Sequence, residues 1–284
     1  MQKIKSFLKN LGPGLLFASM AIGTSHLVLS TKAGAQYGLF MIVPILLANI
    51  LKYPFFEFGV RYTNSTGNSI IEGYRHRGKK WLFLYAFITL ATSLATPAAL
   101  CAITAGLFIN FFNIEAVSVT YMAICLFVFN SAVLILGKYK VMESLLKFIV
   151  PILFVALLLT TTLVVYKGLP SSDSNFIAPV FSSQTGILFL ITLIGWMPTA
   201  VEASSWLSLW SVEKYRINNQ KPSLTEALQE FNFGYTITAV LAVFFLLIGY
   251  ATLFGSGNQL SSNAIEFADQ VVQLFTVHIG DWAY

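Results

Sequence analysis

The sequence predicts an all-α membrane protein, a single domain of about seven transmembrane helices in which helices 1 and 6 are interrupted. Three observations carry this reading. Of 284 residues, 56% are hydrophobic and 10% charged, with mean hydropathy +0.74; a soluble domain has about 25% charged residues. Seven apolar runs, at roughly 12–31, 39–60, 82–110, 116–137, 148–166, 185–210 and 235–254, approach the ~20 residues that cross a bilayer. Two of the runs, the first and the sixth, carry Gly, Pro and polar residues near their centres.

The first run follows Lys3, Lys5 and Lys9. This basic start mimics a signal peptide, with Ser19-Met20-Ala21 resembling a cleavage site, but the runs that follow predict a first span that stays. The third run has no charge from Trp81 to Ile114. It is long for one upright helix, which predicts a tilt or a kink at Pro97. Cys101 and Cys125 fall inside apolar stretches without a CxxC pattern and read as small core hydrophobes. After the seventh run, 255–281 holds Glu266, Asp269 and Asp281 and no basic residue, the pattern of an outside loop with an amphipathic piece. The final "HIGDWAY" reads as the approach to another span, so a longer protein is expected. No linker divides the chain.

Basic residues set the orientation. All 17 except Lys32, Lys52 and Lys167 fall at the N-terminus or between spans two and three, four and five, or six and seven. These segments share one side, which predicts a cytoplasmic N-terminus and disfavours a seven-helix receptor with its N-terminus outside. The same placement explains the net charge of +5 as topology. Nucleic-acid binding is not expected, because the basic residues sit in short loops between apolar spans.

Irregular backbone is tolerated at membrane depth only where protein or a cavity covers it. The first span has Gly23, Thr24, Ser25 and His26 at its centre. The sixth reads "LIGWMPTAVEASSW", with Gly195 and Pro198 central and Thr199 and Glu202 just after. Pro198 removes a helix hydrogen bond and disfavours helix at Met197. Interruptions at corresponding positions of two halves point to a transporter binding site. Spans one and six correspond if the repeat is five helices. An odd repeat inverts the second copy, so 1–170 would form the first repeat and 185–284 an incomplete second.

Ionisable groups inside spans are costly and mark function by default. Every Asp (Asp173, Asp269, Asp281) lies outside the expected spans, leaving Glu57 and Glu202 as intramembrane acids. Glu57 and Arg61 are four apart and suited to pair. Lys52, near the centre of span two, either pairs with a carboxylate, Glu202 being one candidate, or snorkels. It is read as a static buried pair or as a fixed cation replacing a coupled ion. Thr199, Glu202, Ser205 and Ser208 form a polar stripe. His26 is either a neutral structural imidazole or a substrate contact or switch.

Several motifs then carry a resemblance: "GPGLL" from Gly12, "AGAQYG" at 33–38, "LLAN" at 46–49, "RYTNSTGNSIIEGY" at 61–74 and "MP" at 197–198. In this order and spacing they resemble the natural resistance-associated macrophage protein (NRAMP) divalent-metal transporters. The resemblance covers nearly the whole chain. It implies a LeuT-type inverted-repeat fold, alternating access and proton-linked uptake of manganese, iron or similar ions. The chain departs from the family where the metal binds. The family's first-helix Asp-Pro-Gly-Asn is Gly23-Thr24-Ser25-His26 here. Met197 keeps the family's sulfur, and Ile194 can supply the backbone carbonyl three residues earlier. The family's His after Met-Pro is Thr199, and its acidic pair in helix three is Ser93 and Thr96.

A site that has lost its carboxylate but keeps thioether and imidazole suits soft or borderline ions better than hard ones. The expected metal ligands are His26 and Met197, with the Ile194 carbonyl and Glu202 as further candidates. The expected substrate contacts are Gly23, Thr24, His26, Ile194, Met197 and Thr199, with Lys52 and Glu202 in coupling or gating. No HExxH, Walker A or GxSxG motif occurs, so no catalytic residue, cofactor or ATP-driven step is expected. The expected partners are a divalent metal ion as substrate, the lipid bilayer and protons. The sequence thus predicts a secondary metal transporter in a bacterial inner membrane. The alternatives are a carrier of the same fold for an amino acid or amine, and a non-transporting scaffold or receptor.

Overall fold

The computed structural model describes residues 11–114, 117–168, 176, 179–256, 260–261, 266–267 and 269–273. Lys3, Lys5, Lys9, Asp173, Asp281 and the "HIGDWAY" end lie outside the described residues. The elements are helical: α1 (Pro13–Ala21), α2 (Ser25–Tyr37, opening with the π-helical turn Ser25–Ser30), α3 (Ile42–Thr66, entered through a 3₁₀ turn), α4 (Ile70–Arg77), α5 (Lys79–Phe111), α6 (Val119–Lys167), α7 (Gln184–Trp196), α8 (Ala203–Asn218) and α9 (Leu224–Leu253).

Local chemistry sets the boundaries. Ser69, Ser118, Ser183 and Ser223 cap the starts of α4, α6, α7 and α9, each side chain accepting from a backbone N–H in the first turn. At Ser223 the cap is reciprocal with Glu226. Gly67, at φ +78°, ends α3 in the left-handed conformation.

Among the described residues, four helices are long and apolar enough to cross a membrane, and the bent α1–α2 pair makes a fifth. One of the four is α6, whose 49 residues would run about 74 Å if straight, over twice a bilayer core. Lys138, at φ 52° and ψ −159°, breaks it into two passes. With α7 and α8 as one broken pass, these make the seven expected spans. Several boundaries shift. The fifth span starts near 139 rather than 148, directly after the Lys138 break, and the seventh at 224 rather than 235, where the Ser223 cap starts the helix in polar residues ahead of the apolar run. The third span, α5, runs through Pro97 as one 33-residue helix. Cys125 is exposed among lipid-suited side chains and Cys101 half-buried, so neither is a core residue.

The organising element is α9, which packs against α1, α2, α3 and α6. Glycines let backbones meet: a Cβ on Gly34 would lie 2.0 Å from the Leu246 carbonyl, one on Gly249 2.1 Å from that of Thr31, and one on Gly234 2.1 Å from that of Gly14. Small residues at such crossings are how helices pack closely in lipid. An aromatic cluster of Phe17, Phe56, Phe231 and Tyr235 fills the space between α1, α3 and α9. The exposed surface is apolar, as at Phe83, Phe87 and Leu94 on α5 and Leu136 and Phe148 on α6. The expected amphipathic piece places Leu260, Phe267 and Val271 against Leu27, Val28, Ile103 and Leu253.

One end of the molecule is polar, and sequence reading missed most of it. Glu143 and Glu230 are buried acids within α6 and α9, although the expected spans left only Glu57 and Glu202 at membrane depth. Glu230 Oε1 accepts from the N–H groups of Gly12 and Gly14, at 2.9 and 2.7 Å, and so holds the α1 N-terminus. Lys214, expected in a loop, is buried in α8 and pairs with Glu143, which also takes Lys147. At the same end Asn64 donates to the Pro222 carbonyl, and Ser208 Oγ accepts from Ile70 N–H at 3.1 Å while donating to the Ser205 carbonyl. Ser208→Ala strands that buried N–H and is expected to cost about 1–2 kcal/mol, measurable by thermal melting in detergent. An unchanged melting temperature would remove Ser208 as the link between α4 and α8.

Candidate functional site: two broken helices

Span one breaks because its helix cannot continue through 22–24. The last helical N–H, from Ile22, reaches Ala18, and Gly23 N–H turns back to the Ala21 carbonyl at 2.8 Å. The chain restarts at Ser25 with its axis bent by 48°. Leu100 of α5 crosses here, 3.1 Å from where a Gly23 Cβ would stand. Ser25 Oγ lies 3.0 Å from the Ala21 carbonyl that also takes the Gly23 N–H, 2.9 Å from His26 Nδ1 and 3.2 Å from the Pro198 carbonyl. The last contact joins the two breaks. His26 is fully buried, and its Nε2 donates to the Thr238 carbonyl at 2.9 Å. With Nε2 the donor, a neutral ring offers Nδ1 as acceptor, so the single Ser25 hydroxyl proton is shared among Nδ1 and the Ala21 and Pro198 carbonyls. Among the described residues the buried Thr24 hydroxyl has no hydrogen-bond partner.

Span six breaks where Met197 turns extended, at φ −94° and ψ 128°, before Pro198. Its helix resumes at Ala203 with Glu202 as N-cap. The Met197 side chain is fully buried, packed with Ala33, Met41, Ile45, Leu193, Ala242 and Leu246. The carbonyl of Ile194 would normally accept from residue 198, and proline has no N–H to give. Lys52 supplies the missing donor: its Nζ donates to the carbonyls of Ile194 at 2.8 Å, Gly195 at 2.7 Å and Thr199 at 3.4 Å.

The structure therefore brings Gly23, Thr24 and His26 together at one break and Ile194, Met197 and Thr199 at the other, bridged by Ser25 and Pro198. Lys52 reaches backbone oxygens rather than a carboxylate. Glu202 acts on it electrostatically but forms no direct ion pair among the described residues. Glu57 pairs with Arg61 at 2.8 Å, as their spacing predicts. His26 does not stand free for a ligand, because both ring nitrogens are engaged. Among the described residues no cluster of three or more His, Cys, Asp or Glu could hold a metal. Ser93 donates to the Leu90 carbonyl on the exposed side of α5. Ser25, Thr238 and the Pro198 carbonyl were not singled out as site groups from sequence. Ser25 lay in view beside His26, whereas the two carbonyls have no sequence signature. A groove of about 650 Å³ between α3 and α9, lined by Asn49, Tyr53, Asn232 and Tyr235 among others, contains none of the eight expected site residues.

A family model described as "Natural resistance-associated macrophage protein-like" matches residues 14–284. An uncharacterized protein of Pasteurella multocida (strain Pm70) is 33% identical over 279 residues, covering 96% of this chain and 63% of that protein. The chain thus spans somewhat under two-thirds of that relative's length.

Proposed function

Because this chain belongs to the natural resistance-associated macrophage protein-like family, whose members are transporters of the LeuT fold rather than enzymes, we propose that it forms a secondary active transporter of divalent metal ions of the manganese and iron kind. The observation that carries this reading is the meeting of the two helix breaks at Ser25 and Pro198. Paired breaks near the middle of a bundle are where such carriers bind substrate. His26, Met197 and the Ile194 carbonyl are the ligands, with Gly23, Thr24 and Thr199 around them. His26 must give up one of its present hydrogen bonds to coordinate. Lys52 and Glu202 alter the coupling, and protons are the candidate driving ion. Spans one to five form the first repeat, and the second begins at α7. The basic end that gathers Lys214, Glu143 and the α1 N-terminus is the cytoplasmic one, in a bacterial inner membrane.

A second reading, a carrier for an amino acid or amine, is favoured by one observation: the Ile194 carbonyl is already occupied by Lys52. Uptake into proteoliposomes separates the two, comparing manganese, magnesium and an amino-acid mixture with and without a pH gradient. The metal reading expects manganese flux that falls at least ten-fold in His26→Ala. No metal flux under any gradient, or flux indifferent to His26→Ala, overturns it. Amino-acid flux alone establishes the second reading.

A further inference from the structure

We propose that the carbonyls of Ile194, Gly195 and Thr199 form a cation site whose resident occupant is the Lys52 ammonium, and that this site accepts a small free primary ammonium ion once the lysine is removed. The argument begins with the backbone. The last carbonyls of any helix lack intrahelical donors, and in an apolar bundle each unpaired group costs several kcal/mol. In α7 the deficit is fixed by sequence, because the residue that should serve the Ile194 carbonyl is Pro198. The Ile194 and Gly195 oxygens also stand at the negative end of the α7 dipole, where a cation is favoured, and the Thr199 oxygen joins them from the break. An ammonium group has three N–H donors, and Lys52 meets three oxygens, at 2.8, 2.7 and 3.4 Å. Donor number, charge and the two short distances all match.

The lysine comes from a different span, α3, so the cation is tethered across the contact between spans two and six. Glu202, the N-cap of α8, adds its charge from the far side of the break. Among the described residues the Cβ that Gly195 lacks would meet nothing within 4 Å, so packing leaves space next to this residue. This inference deepens the carrier reading, on which its consequence for transport rests: a cargo cation approaching the Ile194 carbonyl must first expel a charge bolted to the protein.

The test uses methylammonium, which copies the lysine head group, and tetramethylammonium, which has the charge but no N–H. In purified protein, Lys52→Ala is expected to bind radiolabelled methylammonium at least ten-fold more tightly than the unaltered chain. Its lowered melting temperature should rise with methylammonium but not with equimolar tetramethylammonium. Lys52→Met, which keeps the apolar stem, serves if the alanine variant does not fold, and the same selective rise in melting temperature is expected. Equal effects of the two ions, or no effect of methylammonium on either variant, overturn the proposal. The outcome is separable from manganese flux, which bears only on the carrier reading.

Discussion

Gly34→Ala is expected to destabilise the protein by about 3 kcal/mol or more, the upper end for overpacking, and Gly34→Leu to prevent assembly of the bundle. An added Cβ would stand 2.0 Å from the Leu246 carbonyl and 2.8 Å from the Tyr250 amide. Both are backbone atoms of α9, so no rotamer change relieves the clash. The helices would have to separate, withdrawing Ala33 from the buried cluster it shares with Met197, Ala242 and Leu246. Gly195→Ala is the matched control. Among the described residues its Cβ meets nothing within 4 Å, and the variant is expected to melt at or slightly above the parent temperature, since alanine is the better helix former. Melting of Gly34→Ala within a degree of the parent would show that α2 and α9 are not in backbone contact.

Glu143→Ala is expected to cost about 3–5 kcal/mol, because among the described residues it leaves the buried Lys214 ammonium no hydrogen-bond partner but the Leu11 carbonyl, at 3.5 Å, and no directly paired carboxylate, with Glu230 nearby but engaged by the Gly12 and Gly14 amides. The double variant Glu143→Leu with Lys214→Met removes both charges and is expected to recover most of that loss. Lys147→Ala, whose side chain is about one-third exposed, is expected to cost under about 1 kcal/mol. A double-mutant cycle from melting curves checks the coupling. If Glu143→Ala and the double variant are equally destabilised, Lys214 is not held by Glu143.

Much of the frame is legible in the sequence alone. A glycine and polar cluster in one apolar run and a proline in another are errors in a plain membrane helix, and both became breaks. The partners were less legible. Lys52 announced itself as a charge in span two, but its acceptors are backbone carbonyls, which every residue has and no sequence pattern marks. Glu143 and Glu230 were hidden for a different reason. Apolar density locates the middle of a span, whereas the helix extends beyond it, after the Lys138 kink for Glu143 and from the Ser223 cap for Glu230, so acids buried near the polar end read as loop residues. His26 was legible as unusual; that both its nitrogens are engaged follows from a carbonyl on α9 and a hydroxyl next door.

The glycine contacts along α9 also limit how span one can travel. Thr31 rests on Gly249, with Phe245 and Leu253 one turn away on either side, while Gly14 rests on Gly234, flanked by Glu230 and Thr238. A one-turn ratchet of either half along α9 would set the side chain of Phe245, Leu253, Glu230 or Thr238 against a backbone that now tolerates only hydrogen. Sliding is therefore forbidden in register steps, and α9 acts as a toothed rail. The freedom left to span one is angular: each half pivots on its own glycine foothold, and the change in angle collects at 22–24, beside Ser25 and its contact with the other broken helix.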